Sequence, residues 1–238
     1  MEPTVSVLPV IAIDGPAASG KSTVGEAVAR ALGFLYVDTG AMYRAVTQAA
    51  LARGIPVEDE AAVVALTDRL AIVIQPDTVG DGRQYTVLVD GEDVTWALRS
   101  PDVDAHVSQI SAYPEVRRIL VRAQQRLAAA GRVVMVGRDI GTVVLPTAPL
   151  KIYLDASAAE RARRRYRELL ARGRSADYEA ILAGIRARDA IDSRRAASPL
   201  QPAADAVILD TDGKGIAQVV QCVLALAAQR FGLAVPAS

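Results

Sequence analysis

Several residue types are scarce in this chain of 238 residues. There is one cysteine, Cys222, which excludes an intramolecular disulfide and suits a reducing compartment. It lies in the apolar run "VVQCVLALAA", which predicts a buried structural thiol. There is one histidine, His106, so histidine metal clusters and Ser-His-Asp chemistry are excluded. Lysine occurs only at Lys21, Lys151 and Lys214; arginine makes up the rest of the 27 basic residues. Acidic residues also number 27, and this balance speaks against a general nucleic-acid or membrane-surface binder. No apolar run approaches the ~20 residues that cross a bilayer as a helix. The opening "MEPTVSVLPV" has neither the basic stretch nor the cleavage site of a secretory signal. These absences predict a soluble cytoplasmic protein. With 51% apolar residues the chain has material for a full core, enough for one α/β domain with a smaller attached unit.

Against that background "GPAASGKST" (15–23) stands out. Gly15 and Gly20 bracket four residues, and Lys21 and Ser22 follow. A loop of this spacing wraps a phosphate chain with backbone N–H groups, its lysine reaches the terminal phosphates, and its hydroxyl meets Mg²⁺. The expected nucleotide-binding residues are therefore Gly15, Pro16, Ala17, Ala18, Ser19, Gly20, Lys21, Ser22 and Thr23.

"PVIAID", "FLYVD", "RVVMVG", "LKIYLD" and "DAVILD" read as five short buried strands. Helices interleave with them, which predicts a parallel sheet covered on both faces, with ligands outside the carboxyl ends of the strands. Residues 70–96 break the pattern: "LAIVIQ", "RQYTVLVD" and "EDVTW", separated by turn residues, predict a small antiparallel meander. A long helix is expected over 114–131. Residues 157–173, opened by the capping pair Ser157 and Glu160, and 177–195 predict a helical hairpin. The hairpin is rich in arginine: a solvated face laced with i,i+4 pairs is one reading, closure over phosphates the other.

The segments "IDGPAASGKST", "YVDTGAMYRA", "DVDAHVSQISAYPEVR", "VGRDIGTVVLPTAPLKIYLDAS" and "RARDAIDSRRAASPLQPAADAVILD", in this order, resemble bacterial cytidylate kinases, from about residue 9 to about 230. That family transfers the γ-phosphoryl group of ATP, with Mg²⁺, to CMP or dCMP. The resemblance implies an α/β fold: a P-loop kinase core (1–60 and 131–238) on a five-stranded parallel sheet flanked by helices, with a short helical lid at about 157–195. An antiparallel β-rich insert would occupy the nucleoside-monophosphate region, 61–130. The phosphate loop alone is shared by many unrelated NTPases; the full set is specific.

The same resemblance implies roles on the acceptor side. Arg44, Arg138 and Arg195 match arginines used around the acceptor nucleotide, and Lys21, Arg138 and Arg195 become the expected catalytic cations. Ser108, Arg117 and Asp139 occupy positions that contact cytosine. Arg188 and Asp192 occupy those that contact the ribose, although their spacing also allows a plain helix ion pair. Thr39 stands where many members carry serine, and Tyr43 lines the acceptor pocket or packs its helix on the sheet. The metal is expected to rest mainly on ATP, with Ser22 as the protein's ligand. Asp14 and Trp96 stay undecided, Asp14 being a conceivable partner of Lys21 or Mg²⁺. A monomer is expected.

Three other readings compete. A kinase of the same core acting on UMP, AMP, dTMP or shikimate would differ at Ser108, Arg117 and Asp139. A GTP-dependent switch wants an [NT]-K-x-D segment, and neither "PLKIYLD" nor "DGKGIAQ" supplies it. A non-catalytic ATP-binding scaffold has no use for acceptor-side arginines.

Overall fold

The computed structural model describes residues 8–77, 79–171, 173–194 and 198–233. Two expected features, Arg172 in the basic hairpin and the catalytic candidate Arg195, lie outside the described residues. The chain divides into two compact units, Met1–Tyr36 with Ala128–Ser238, and Val37–Leu127.

In chain order the elements are β1 (Val10–Asp14), α1 (Lys21–Leu32), β2 (Leu35–Asp38), α2 (Thr39–Ala52), α3 (Glu60–Arg69), β3 (Ile72–Pro76), β4 (Tyr85–Val89), β5 (Glu92–Asp93), α4 (Pro101–Ile110) and α5 (Pro114–Ala128). Then come β6 (Val133–Val136), a π-turn (Ile140–Val144), β7 (Leu150–Asp155), α6 (Ala158–Ala171), α7 (Tyr178–Arg194), β8 (Val207–Asp210) and α8 (Ile216–Phe231).

The first unit is built on a five-stranded sheet of order β2-β6-β1-β7-β8. β1 is central and pairs in parallel with β6 (Ile13 opposite Val136) and with β7 (Ile13 opposite Ile152). A central strand covered on both faces has no polar side to show, hence the continuous apolar run. Ile11, Ile13, Val134, Ile152 and Leu154 bury their side chains against Val24 and Val28 of α1 and Val219, Val223 and Leu224 of α8. Each such side chain contributes roughly 1.5–3 kcal/mol relative to exposure. That stripe of α8 leaves Cys222 to one side, and the thiol is exposed, not buried as its apolar context predicts.

The second unit packs α2 against α4 and α3, beside a sheet of order β3-β4-β5. It begins at Val37 and includes α2. β3 and β4 are antiparallel from Ile72↔Val89 to Pro76↔Tyr85. Asp90 and Gly91, with φ of +51° and +88°, form the two-residue turn into β5, the doubly left-handed geometry that matches strand twist. β5 is only two residues long: the Thr95 hydroxyl, not a strand carbonyl, accepts the Val87 N–H. Nearby, Arg83 binds Asp81 through two nitrogens (2.8 and 2.6 Å) and Asp93 at 2.5 Å, and Trp96 donates its indole N–H to Asp81 (2.9 Å). This network ties the turn before β4 to β5. It holds Asp81 well below the usual carboxylate range, chiefly through Arg83 and then through the Trp96 N–H.

Candidate active site

The phosphate loop leaves β1 at Asp14 and enters α1 at Lys21. Gly15 has φ +150°, and a Cβ there would stand 2.2 Å from the Leu154 carbonyl oxygen of β7, so no other residue fits. Ala18, with φ +60°, takes a left-handed conformation that costs a non-glycine residue energy, a cost typical of functional loops. Such alternation of backbone hand turns N–H groups inward as an anion nest. The helix behind it starts at Gly20, with no side chain capping its amides, so its positive end faces the loop. Lys21 is buried; its ammonium donates to the Pro16 carbonyl (2.6 Å) and, more weakly, to Ser19 Oγ (3.5 Å).

Two arginines of α6 brace this loop, and neither stood out among the hairpin's many. Arg161 is buried and donates to the Ala17 carbonyl (3.1 Å) and the Ala156 carbonyl (2.9 Å). Its two terminal nitrogens also meet both oxygens of Asp189 on α7, at 3.0 and 2.6 Å. Arg164 donates to the Ser19 carbonyl (3.3 Å) and to Thr211 (3.1 Å to the hydroxyl, 2.5 Å to the carbonyl). Part of the hairpin's charge is thereby fixed to the nucleotide loop rather than solvated.

Asp192, one turn beyond Asp189, is buried and accepts a hydrogen bond from Arg138 Nε, joining two of the expected acceptor residues. Arg188 lies one turn before Asp192 on the same helix, with its Nε buried. Asp139 is buried where β6 gives way to the π-turn, and its carbonyl accepts from the Val143 and Val144 N–H groups. Asp14 accepts from the N–H groups of Ile140 (2.8 Å) and Gly141 (2.7 Å). Burial is the main cause that pushes its carboxyl up to about 6, and the charge of Asp139 adds to it; the two amide bonds and Lys21 act the other way.

In the second unit Asp38 caps α2 by accepting the Gly40 N–H (3.0 Å), and its other oxygen accepts from Tyr85 (3.2 Å). Burial, with the Asp38 charge beside it, raises the pKa of that tyrosine. Thr39 opens α2, and one turn on lies Tyr43, buried, with the Arg117 guanidinium over its ring at 5.4 Å from the centroid. Arg117 also donates to the Ser111 carbonyl (3.1 Å), and the Ser111 hydroxyl to the Ser108 carbonyl (3.0 Å). Tyr43, Arg117 and Ser108 thus form one connected group. Arg44 is engaged with Asp104 (2.6 Å) and the Leu98 carbonyl (3.1 Å). His106 bonds the Asp102 carbonyl of its own helix through Nδ1 (2.8 Å).

Among the described residues no group of three or more His, Cys, Asp or Glu side chains is placed to hold a metal ion, and no helix is long and apolar enough to cross a membrane.

The cytidylate kinase family model matches residues 11–229. A cytidylate kinase of Chloroflexus aggregans (strain MD-66 / DSM 9485) is 57% identical over 214 residues, covering 90% of this chain and 91% of that one. Another, of Roseiflexus castenholzii (strain DSM 13941 / HLO8), is 52% identical over 222 residues, covering 93% and 94%. Among solved structures, an uncharacterized protein from Eubacterium ventriosum ATCC 27560 aligns over 94% of this chain and 100% of that one, with TM-score 0.51 and 8% identity, a likeness of fold alone. With a phosphate loop at the end of β1 and near-complete matches on both sides, the chain belongs to the cytidylate kinase family and is a kinase.

Proposed function

We propose that the enzyme phosphorylates CMP or dCMP with ATP by direct in-line transfer, and that its residues act mainly by placing and neutralising phosphates. An oxygen of the acceptor phosphate attacks the γ-phosphorus, the bond to the β,γ-bridging oxygen breaks, and the charge passes to the ADP product. Such a transfer asks little covalent chemistry of a protein; alignment, exclusion of water and fixed positive charge supply the rate. The observation that carries the reading is the match to the cytidylate kinase family over residues 11–229; the loop from Gly15 to Thr23, whose backbone hand, helix end and buried Lys21 suit a triphosphate, supports the donor side of it. Lys21 leaves the Pro16 carbonyl and follows the migrating phosphoryl group.

Arg44, Arg138 and Arg195 are assigned to the acceptor phosphate. Asp139, Ser108 and Arg117 are assigned to cytosine: an ionised carboxylate accepts from the N4 amino group, and a hydroxyl and a guanidinium serve the acceptor atoms. Arg188 and Asp192 are assigned to the ribose, with Thr39 and Tyr43 lining the acceptor. Among the described residues no carboxylate cluster is placed to hold Mg²⁺, so the ion would rest mainly on phosphate oxygens and water, with the Ser22 hydroxyl as the protein's ligand. When bound, it withdraws charge from the β- and γ-phosphates. The enzyme is taken to act as a monomer in the cytoplasm.

A coupled assay of ADP release, with ATP against CMP, dCMP, UMP, AMP and shikimate, tests the whole reading. CMP or dCMP is expected to give the highest kcat/KM; a preference for any of the others overturns it.

A further inference from the structure

Asp14 is the last residue of the central strand and the one before the phosphate loop, so its neighbours along the chain belong to the ATP side. Its hydrogen bonds go elsewhere. Both carboxylate oxygens are taken by peptide N–H groups more than a hundred positions on, Ile140 at 2.8 Å and Gly141 at 2.7 Å. Of the two lysines nearby, the Lys21 ammonium donates to the Pro16 carbonyl and Ser19 while its charge also acts on Asp14, and the Lys151 ammonium donates to the Pro146 carbonyl and Asp205. A carboxylate that is 4% exposed is an expensive way to close a turn with two amide hydrogen bonds, because a buried charge loses its hydration.

The turn it closes starts at Asp139. The carboxylate grips the first two peptide groups after that residue. The packing there is tight: a Cβ on Gly141 would lie 3.1 Å from Lys151 Cδ and 3.4 Å from Asp14 Oδ2, so the turn rests directly on the carboxylate.

We infer that Asp14 is a positioning residue for base selection: by fixing the backbone at Ile140 and Gly141 it sets where the Asp139 carboxylate stands. The inference rests on the assignment of Asp139 to cytosine. It also means that one residue, by its place in the chain, links the strand end that launches the ATP loop to the turn that carries the base reader.

Asp14→Asn tests it. The amide oxygen accepts one of the two N–H groups, while the amide nitrogen confronts the other, so the turn must shift. In folded variant protein the CMP-over-UMP ratio of kcat/KM is expected to fall at least about threefold and KM for CMP to rise about tenfold, while KM for ATP stays within about twofold. A purely structural Asp14 would lower thermal stability and leave the substrate ratio of the folded enzyme unchanged, and that result overturns the inference. Should Asp14→Asn fail to fold, Gly141→Ala crowds the same turn against Lys151 and the intact Asp14 carboxylate, and a drop in ratio in the same direction is expected; an unchanged ratio again overturns it. Asp139→Asn is measured in parallel. If Asp139→Asn narrows the ratio and the two turn variants do not, the positioning role fails and the base assignment stands. If Asp139→Asn leaves the ratio as it was, the assignment itself has failed.

Discussion

Arg161 meets both carboxylate oxygens of Asp189, at 3.0 and 2.6 Å, and with the same guanidinium donates to the Ala17 carbonyl of the phosphate loop. A planar fork matched to a carboxylate is something lysine cannot reproduce. One side chain thus joins α6, α7 and the loop that holds the nucleotide.

Breaking that pair is expected to cost stability and ATP affinity together. Arg161→Ala leaves Asp189 without its partner, and since that carboxylate is a quarter exposed the loss is put at about 2 kcal/mol, below the full figure for a buried pair. Arg161→Lys keeps the charge and is expected to recover less than half. Thermal unfolding and ATP titration measure both effects; a double-mutant cycle with Asp189→Ala giving a coupling below about 0.5 kcal/mol would remove the pair from the account.

Lys21→Ala is expected to lower kcat by about a hundredfold or more with the fold intact, because it removes the positive charge assigned to the transferred group. Circular dichroism checks the fold and ADP release the rate. A folded variant with near-normal kcat would end the donor-site assignment.

Wild-type enzyme is expected to favour CMP over UMP in kcat/KM by at least about tenfold, a gap of roughly 1.4 kcal/mol. Uracil presents an oxygen where cytosine has its amino group, so an ionised carboxylate would face an acceptor with no proton between them. Asp139→Asn can turn an N–H toward that oxygen, and the ratio is expected to narrow. An equal loss on both substrates would point to phosphate or metal geometry.

The pH dependence of stability carries a sign that Asp14 dictates. Its carboxyl titrates at about 6 in the folded protein against 3.8 unfolded, so between these values the folded state holds the extra proton. Stability contributed by this group is therefore greatest below about pH 4, falls as pH rises to about 6, and is level above. Urea midpoints of wild type minus those of Asp14→Asn, from pH 3.5 to 7, are expected to fall along that window. A flat or rising difference would contradict it.

What the sequence reveals and what it hides follow one physical division. The five strands and the loop from Gly15 to Thr23 depend on residues close in the chain, as do the Asp90-Gly91 turn and the capping of α6, where the Glu160 N–H reaches Ser157 Oγ at 3.2 Å. Arg161 gives no local sign, because Asp189 lies 28 positions away and ten other arginines crowd the same hairpin. Asp14 stays undecided for the same reason, its partners being 126 and 127 positions on. Cys222 is misread because α8 is apolar nearly all round, and periodicity cannot then choose the buried stripe.

The exposure of Cys222 has a practical use. It is the only thiol in the chain, and it stands on the outer side of a helix whose other face anchors the core of the first unit. A maleimide dye or a nitroxide therefore attaches at one known point without mutagenesis, on an element that carries none of the residues assigned to the site. The enzyme comes with its own attachment point for following turnover one molecule at a time.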